Sequence, residues 1–256
     1  MKALVARPGG LGDVLLAGPA VRAVATRATR LTMLCGARGA PAARLLPHVD
    51  DVVVWDQPGG DGTDGLVSRL RAEAYDVALV LAPGPRGSSH ATGVLRSACV
   101  RRIGAIEGPT GLSEEEAALD AAASMGFGLR RGDDGGLRVR PAPDTAGLTG
   151  NGPYVVVHPG AGDPGRAWEA GRGAAAVARL ADAGHRVVVT GGPEETALTH
   201  RVAGETGVDL GGRTDPRTFA GVLRAADALV TGSQGPARLA AAVGTPVVSV
   251  RALLGH

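Results

Sequence analysis

The chain has 256 residues, 44% of them hydrophobic and 20% charged, with a formal net charge of +2; that length builds one large soluble domain or two smaller ones. The balanced charge and a total of six aromatic residues argue against nucleic acid or an anionic membrane surface as the main partner. Two cysteines, Cys35 and Cys99, suggest a reducing compartment, no apolar run nears the roughly 20 residues of a membrane span, and the N-terminus lacks a signal-peptide core, so a cytoplasmic protein is expected.

Ala3 to Ala6 reads as a short buried strand closed by Pro8-Gly9-Gly10-Leu11-Gly12. Asp13 stands where a helix N-cap belongs, and Val14, Leu15, Ala17, Val21 and Val24 follow at helical spacing. A second strand over 31–35, a short helix over 42–46 and a third strand over 52–55 come next. The loop over 57–62 is rich in turn formers. A helix over 66–74 leads to a fourth strand over 76–81, and Pro83-Gly84-Pro85 closes it. A helix over 88–97 and a short strand over 100–103 follow. Ser113 and Glu116 form a capping box that starts a helix reaching about Met125. Residues 131–152, crowded with Gly, Pro and Asp, are the best linker, with one short strand inside.

The alternation then repeats. Strands are expected at 155–157, 186–190, from 209, at 228–230 and at 246–250. The helices between them span 168–183, 194–204, 219–226 and 236–243. Strands alternating with helices make parallel sheets with right-handed crossovers. Two such runs joined by a linker predict two doubly wound domains.

The stretch Tyr154 to Trp168, YVVVHPGAGDPGRAW, opens the second run. A glycine-rich turn at the carboxyl end of a strand is where open α/β sheets bind ligands. Its backbone N–H groups suit an anion, and Arg166 adds a fixed positive charge. His158, ending its strand, reads equally as a ligand contact or a hydrogen-bonded turn residue. Trp168 reads as a packing anchor. Asp13 is a helix cap, a proton acceptor at the mouth of the first strand, or both. Asp50-Asp51 and Asp133-Asp134 read as solvated loop charges.

Several chemistries are excluded. A dinucleotide fingerprint from Gly10 needs a glycine where Leu15 stands and an acid where Cys35-Gly36 stands. A P-loop needs a lysine, and the only one is Lys2. The six histidines are scattered and no H-E-x-x-H occurs, so a metal site is not expected. Thr231-Gly232-Ser233-Gln234-Gly235 imitates a hydrolase elbow, but no acid follows Ser233 and the only later histidine is His256. What remains there is a tight turn whose helix N-terminus can face an anion.

Four stretches in order, GGLGDVLLAGPAVRA, HPGA…RAW, VVVTGGPEE and DLGGRTDPRTFAGVLRAADALVTGSQGPARLAAAVGTPVVSV, together resemble the heptosyltransferase-type glycosyltransferases of family 9. The resemblance implies an α/β GT-B architecture: two Rossmann-like domains facing a cleft, with the acceptor side at 1–131, a linker at 132–152 and the donor side at 153–256. It implies transfer of a sugar, typically heptose, from an ADP-sugar co-substrate to a glycan or glycolipid acceptor such as a lipopolysaccharide core. The anomeric centre is inverted and no metal or other cofactor is needed. A lipid-linked acceptor would bring peripheral contact with a membrane.

By the same resemblance Asp13 is the general base, in an acceptor-side loop with Gly10 and Gly12. Arg166 stands where a lysine usually binds the diphosphate, Gly160 and Ala161 form the turn under it beside His158, and Glu195 contacts the adenosine ribose. Ser233, Gly235, Pro236 and Arg238 occupy a donor turn that usually reads D-T-G-P-x-H or N-T-G-P-x-H. Family members continue beyond the position of Val250 through a phosphate-contacting loop and a closing helix, so a shortened second domain is expected. A non-catalytic nucleotide- or sugar-binding remnant is the alternative.

Overall fold

The computed structural model describes residues 1–55, 63–82, 84–106, 111–161 and 167–250. The chain forms two compact units, Met1–Arg140 and Pro141–His256. The stretch expected as a linker is shared between them, its residues up to Arg140 falling in the first unit.

The first unit runs β1 (Lys2–Ala6), α1 (Leu11–Leu16), α2 (Gly18–Ala25), β2 (Arg30–Cys35), α3 (Ala40–Leu45), β3 (Asp51–Val54), α4 (Thr63–Glu73), β4 (Val77–Val80), α5 (Gly84–Ser97), β5 (Arg102–Ala105) and α6 (Glu114–Ser124). Its sheet is parallel in the order β3-β2-β1-β4-β5. Helices cover both faces of such a sheet, which is why β1 and β4 read as unbroken apolar runs; Ala3, Leu4, Val5, Ala78 and Val80 have no exposed surface. The single helix expected after Asp13 is two, α1 and α2, meeting at Ala17. Pro19 has no N–H to give to Leu15, and its ring crowds that carbonyl. The strand expected at 100–103 forms two residues later, and Gly84 and Pro85 belong to α5 rather than to a closing turn.

Asp133 corrects the expectation of a solvated loop charge. Its carboxylate accepts from Arg22 Nε at 2.7 Å and Nη2 at 2.8 Å, with side chains only 6% and 12% exposed. The paired guanidinium holds the Asp133 carboxyl far below the usual carboxylate range. With Arg140 donating to the Leu46 and Val49 carbonyls, this pair fastens the end of the first unit onto its own helices.

The second unit runs α7 (Ala146–Thr149), β6 (Val155–His158), α8 (Ala170–Asp182), β7 (Val187–Val189), a 3-10 turn (Pro193–Glu195), α9 (Thr196–Ala203), β8 (Val208–Asp209), α10 (Pro216–Arg224), β9 (Ala228–Thr231), α11 (Gln234–Val243) and β10 (Val247–Ser249). Where a short strand was expected in the linker stretch, the one-turn helix α7 forms. Asp215 caps α10 through Thr218 N–H at 2.7 Å, and Pro216 takes the first helical position, where its missing N–H costs nothing. Glu169 caps α8 through the N–H groups of Gly171 and Arg172, both at 2.8 Å. The sheet is parallel in the order β10-β9-β6-β7-β8. Read from its other edge this is the strand order of the first unit, so the same doubly wound plan occurs twice.

In each plan the first strand lies between the second and the fourth, and the connections leave it in opposite directions. That seam is the topological switch point, and the crevice at its carboxyl end is where such sheets bind ligands. It lies between β1 and β4 in the first unit and between β6 and β9 in the second. Asp13 follows β1 directly, and His158 ends β6.

Candidate active site

Both seams are tied by a polar side chain. In the first unit the buried Arg7 donates from Nε to the Asp13 carbonyl at 3.0 Å, and from its Nη groups to the Leu81 carbonyl past the end of β4 and to the Glu114 carboxylate in the first turn of α6. It thereby joins the strand ends to the helical turn that carries Asp13. Asp13 is the third residue of α1, not its N-cap: Gly10 takes that place, and its N–H donates to Asp13 Oδ2 at 2.9 Å. A carboxylate in the first turn also suits the helix dipole. Gly9 lies beneath it with φ +122°, and a Cβ there would come within 2.5 Å of Asp13 Oδ2. Gly9 is thus required twice, for its backbone and for the room it leaves. Gly12 is buried inside α1.

In the second unit His158 ↔ Thr231 is the last register pair across the seam. Thr231 Oγ1 donates to the His158 carbonyl at 3.0 Å and accepts from Ser233 N–H at 3.1 Å. The strand end, the turn after β9 and the start of α11 are so connected through one hydroxyl. Thr190, just past β7, stands 3.0 Å from His158 Nδ1. Glu195 Oε2 accepts from Gly192 N–H at 2.8 Å and lies 3.9 Å from His158 Nε2. Gly160 completes the group, since a Cβ there would lie 2.2 Å from the Glu195 carboxyl oxygens. His158 and Glu195, 37 positions apart along the chain, meet with Gly160 at the carboxyl ends of β6 and β7.

His158 and Glu195 are 12% and 14% exposed. Burial pushes the imidazole down to about 4, against the Glu195 charge, which pulls it upward. His158 is neutral at pH 7, and its ring lies 5.5 Å from that of Phe219.

The remaining expected residues fall nearby. Ala161 is half-buried next to Gly160. Ser233 is the N-cap of α11, with Gly235, Pro236 and Arg238 in the first turns of that helix. Arg166, the 57–62 loop, Pro83 and the residues after Val250 lie outside the described residues. Trp168 donates its backbone N–H to the Pro159 carbonyl at 2.9 Å, packs on Val157, Val177 and Val202, and sits against Gly232. It holds the turn after β6 against the turn after β9. Among the described residues no group of three or more His, Cys, Asp or Glu side chains comes together as metal ligands.

Arg7 and Thr190 were not singled out in the sequence, and Thr231 only as the start of the rejected hydrolase elbow. Val189-Thr190-Gly191 and Val230-Thr231-Gly232 carry a signal that could have found the threonines: the same V-T-G ends both strands flanking β6. A hydroxyl at the strand end, last in β9 and one past the end of β7, followed by a glycine, serves the strand next to it.

Comparisons with known proteins agree with this layout. Residues 138–252 match glycosyltransferase family 9 (heptosyltransferase), so the resemblance read from the sequence holds. No curated protein sequence matches the chain. Among solved structures, a glycosyl transferase family 9 protein from Veillonella parvula superposes with a TM-score of 0.77 at 17% identity, covering 97% of this chain and 80% of its own. ADP-heptose lps heptosyltransferase II of E. coli gives 0.72 at 21% identity, with 97% and 84% covered. E. coli heptosyltransferase WaaC with ADP gives 0.72 at 19%, with 97% and 86% covered. These likenesses establish the fold, two Rossmann-like α/β units.

Proposed function

From a second half that matches glycosyltransferase family 9, we infer that this sugar transferase is an inverting enzyme that moves a sugar, heptose first among the candidates, from an ADP-sugar to an acceptor hydroxyl. The observation that carries the reading is the group formed by His158, Gly160, Gly192 and Glu195 at the carboxyl ends of β6 and β7, beside the switch point of the second unit. It offers a fixed carboxylate for ribose hydroxyls beside a glycine-lined turn whose backbone approaches a diphosphate closely. The N-terminus of α11, Arg238 and Arg166 supply positive potential for that diphosphate.

In the proposed reaction the Asp13 carboxylate accepts the proton of the acceptor hydroxyl. The acceptor oxygen bonds to the anomeric carbon from the face opposite the diphosphate. The bond between that carbon and the diphosphate oxygen breaks, its electron pair leaves with ADP, and the configuration inverts. Negative charge grows on the diphosphate as the bond breaks, so cationic groups there stabilise the transition state more than the ground state. We propose that those groups suffice without a metal. The acceptor is a glycan or glycolipid, lipopolysaccharide-core-like in the leading case, met in the cytoplasm and at a membrane surface where it is lipid-linked.

ADP release from ADP-heptose with a panel of glycan acceptors tests this. Release by the wild-type protein, abolished in Asp13→Ala, is expected; absence of release in both would overturn it. A second reading, nucleotide binding without transfer, is favoured by the donor turn, where Ser233 and Arg238 replace the acid or amide and the histidine of the family pattern. Calorimetric binding of ADP by a protein that turns over no sugar would select it.

A further inference from the structure

The surroundings of His158 specify more than a donor site. Its Nε2 is 3.9 Å from Glu195 Oε2, beyond direct hydrogen-bond length. An oxygen atom about 2.8 Å from both would bridge that separation and see them at about a right angle. To satisfy both partners that oxygen must accept from one and donate to the other. Only a hydroxyl or water does this; a carbonyl, ether or phosphate oxygen cannot.

The imidazole is set up for the donating half. Thr190 Oγ1 lies 3.0 Å from Nδ1. If Nδ1 carried the proton, the Nε2 lone pair would face a carboxylate 3.9 Å away, two negative poles across a small gap. The favoured arrangement has the Thr190 hydroxyl donating to Nδ1, with the proton on Nε2 towards Glu195. Phe219 stands against the ring, and the Thr231 hydroxyl donates to the His158 backbone carbonyl rather than to the ring. Glu195 is the one charged group found to act on the imidazole among the described residues.

We propose that His158 is a specificity-determining residue for the donor's ribose: His158 and Glu195 grip one ribose hydroxyl between a donor and an acceptor, and Thr190 fixes the tautomer that makes the grip work. The inference rests on the reading of Glu195 as a ribose contact. It adds that ribonucleotides are selected over deoxyribonucleotides, and that the imidazole rather than the carboxylate alone does the selecting. A site built to bond a hydroxyl rejects the analogue lacking it because its own polar groups are then left unpaired.

Calorimetry with ADP, 2′-deoxy-ADP and 3′-deoxy-ADP, together with ¹⁵N NMR of the His158 ring, tests this. The wild-type protein should bind ADP and lose about tenfold or more towards one of the two deoxy nucleotides. His158→Gln places an amide N–H near the position of Nε2 and should keep the preference. His158→Asn reaches only the position of Nδ1 and should abolish it. The ring should be the Nε2–H tautomer in the wild type and a mixture in Thr190→Val. A preference that survives in His158→Asn, or an Nδ1–H ring in the wild type, overturns the assignment. Equal binding of all three nucleotides also overturns it and leaves the donor reading standing, whereas no ADP binding by the wild type overturns the donor reading itself.

Discussion

The carboxylate of Glu195 rests directly on the Cα of Gly160, so close that a methyl group built on Gly160 would lie 2.2 Å from both of its oxygens. That glycine is therefore fixed by a side chain rather than by its own backbone, since it is not among the positive-φ glycines. Gly160→Ala would force Glu195 away from the Gly192 N–H and from His158. The colliding group is the end of a side chain in a short turn rather than backbone, so the stability cost should be modest, about 1–2 kcal/mol for an overpacked site. The binding cost should be larger. ADP affinity measured by calorimetry is expected to fall about tenfold or more, as for the loss of a hydrogen bond to a charged group, while the unfolding midpoint moves little.

His158 leaves a second trace, in the pH dependence of stability. Its folded value of about 4 lies below the 6.5 of an unperturbed histidine because the ring is buried. Between these values the unfolded chain binds a proton that the folded second unit does not. Protonation thus favours unfolding, and stability is full above about pH 6.5, falls as the pH drops towards 4 and levels off below it. Other depressed groups of that unit, the capping carboxylates Glu169 and Asp215, lose their contributions only in the carboxylate range near and below pH 4. The two tryptophans make the measurement selective, because Trp55 lies in the first unit and Trp168 packs in the core of the second. In a Trp55→Phe background, urea unfolding followed by Trp168 fluorescence should weaken from pH 7 to pH 4.5. His158→Gln should flatten that slope.

Arg7 is the counterpart in the first unit. Its buried guanidinium gathers the Asp13 and Leu81 carbonyls and the Glu114 carboxylate. Arg7→Met keeps the bulk and removes the N–H groups that these three acceptors share, two of them backbone carbonyls. A loss of about 1–3 kcal/mol is expected, the cost of leaving buried acceptors short of a hydrogen bond. Part is offset because the Glu114 side chain is 52% exposed and regains water. Urea unfolding followed by Trp55 fluorescence in a Trp168→Phe background should report it, and Trp168 in the converse background should not.

Some parts of the molecule could be read in advance and others could not. Alternating apolar runs and turn formers were enough for two parallel α/β units, because a strand covered on both faces must be apolar throughout. Helix ends were less readable. Asp13 looked like an N-cap, yet the backbone begins its helix at Gly10 and uses Asp13 from the third position, a choice that depends on Gly9 turning with φ +122°. Asp133 looked solvated because its neighbours are glycines and acids; its partner Arg22 is 111 residues away, and no local pattern reports that. The donor group divides the same way. His158 and Gly160 stand in one conspicuous turn, whereas Thr190 and Thr231 matter only because the strand order β9-β6-β7 brings them to either side of β6.

Asp13 carries the sharpest test of the proposed chemistry, because its two roles respond to different substitutions. As a structural group it accepts from Gly10 N–H at 2.9 Å; as the proposed base it takes a proton from the acceptor. Asp13→Asn keeps a carbonyl oxygen that can still accept from Gly10, and it fills the same space over Gly9. Asp13→Ala loses the cap as well, at about 1 kcal/mol. If Asp13 acts only on the fold, Asn should be nearly as active as wild type and Ala should lose activity in proportion to the unfolded fraction. If it is the base, both should fall by about 10²–10⁴ in kcat with ADP affinity unchanged, since an amide cannot take the proton. Steady-state ADP release, paired with urea unfolding of each variant, separates the two outcomes: equal loss of kcat at unequal stability assigns the proton transfer to Asp13.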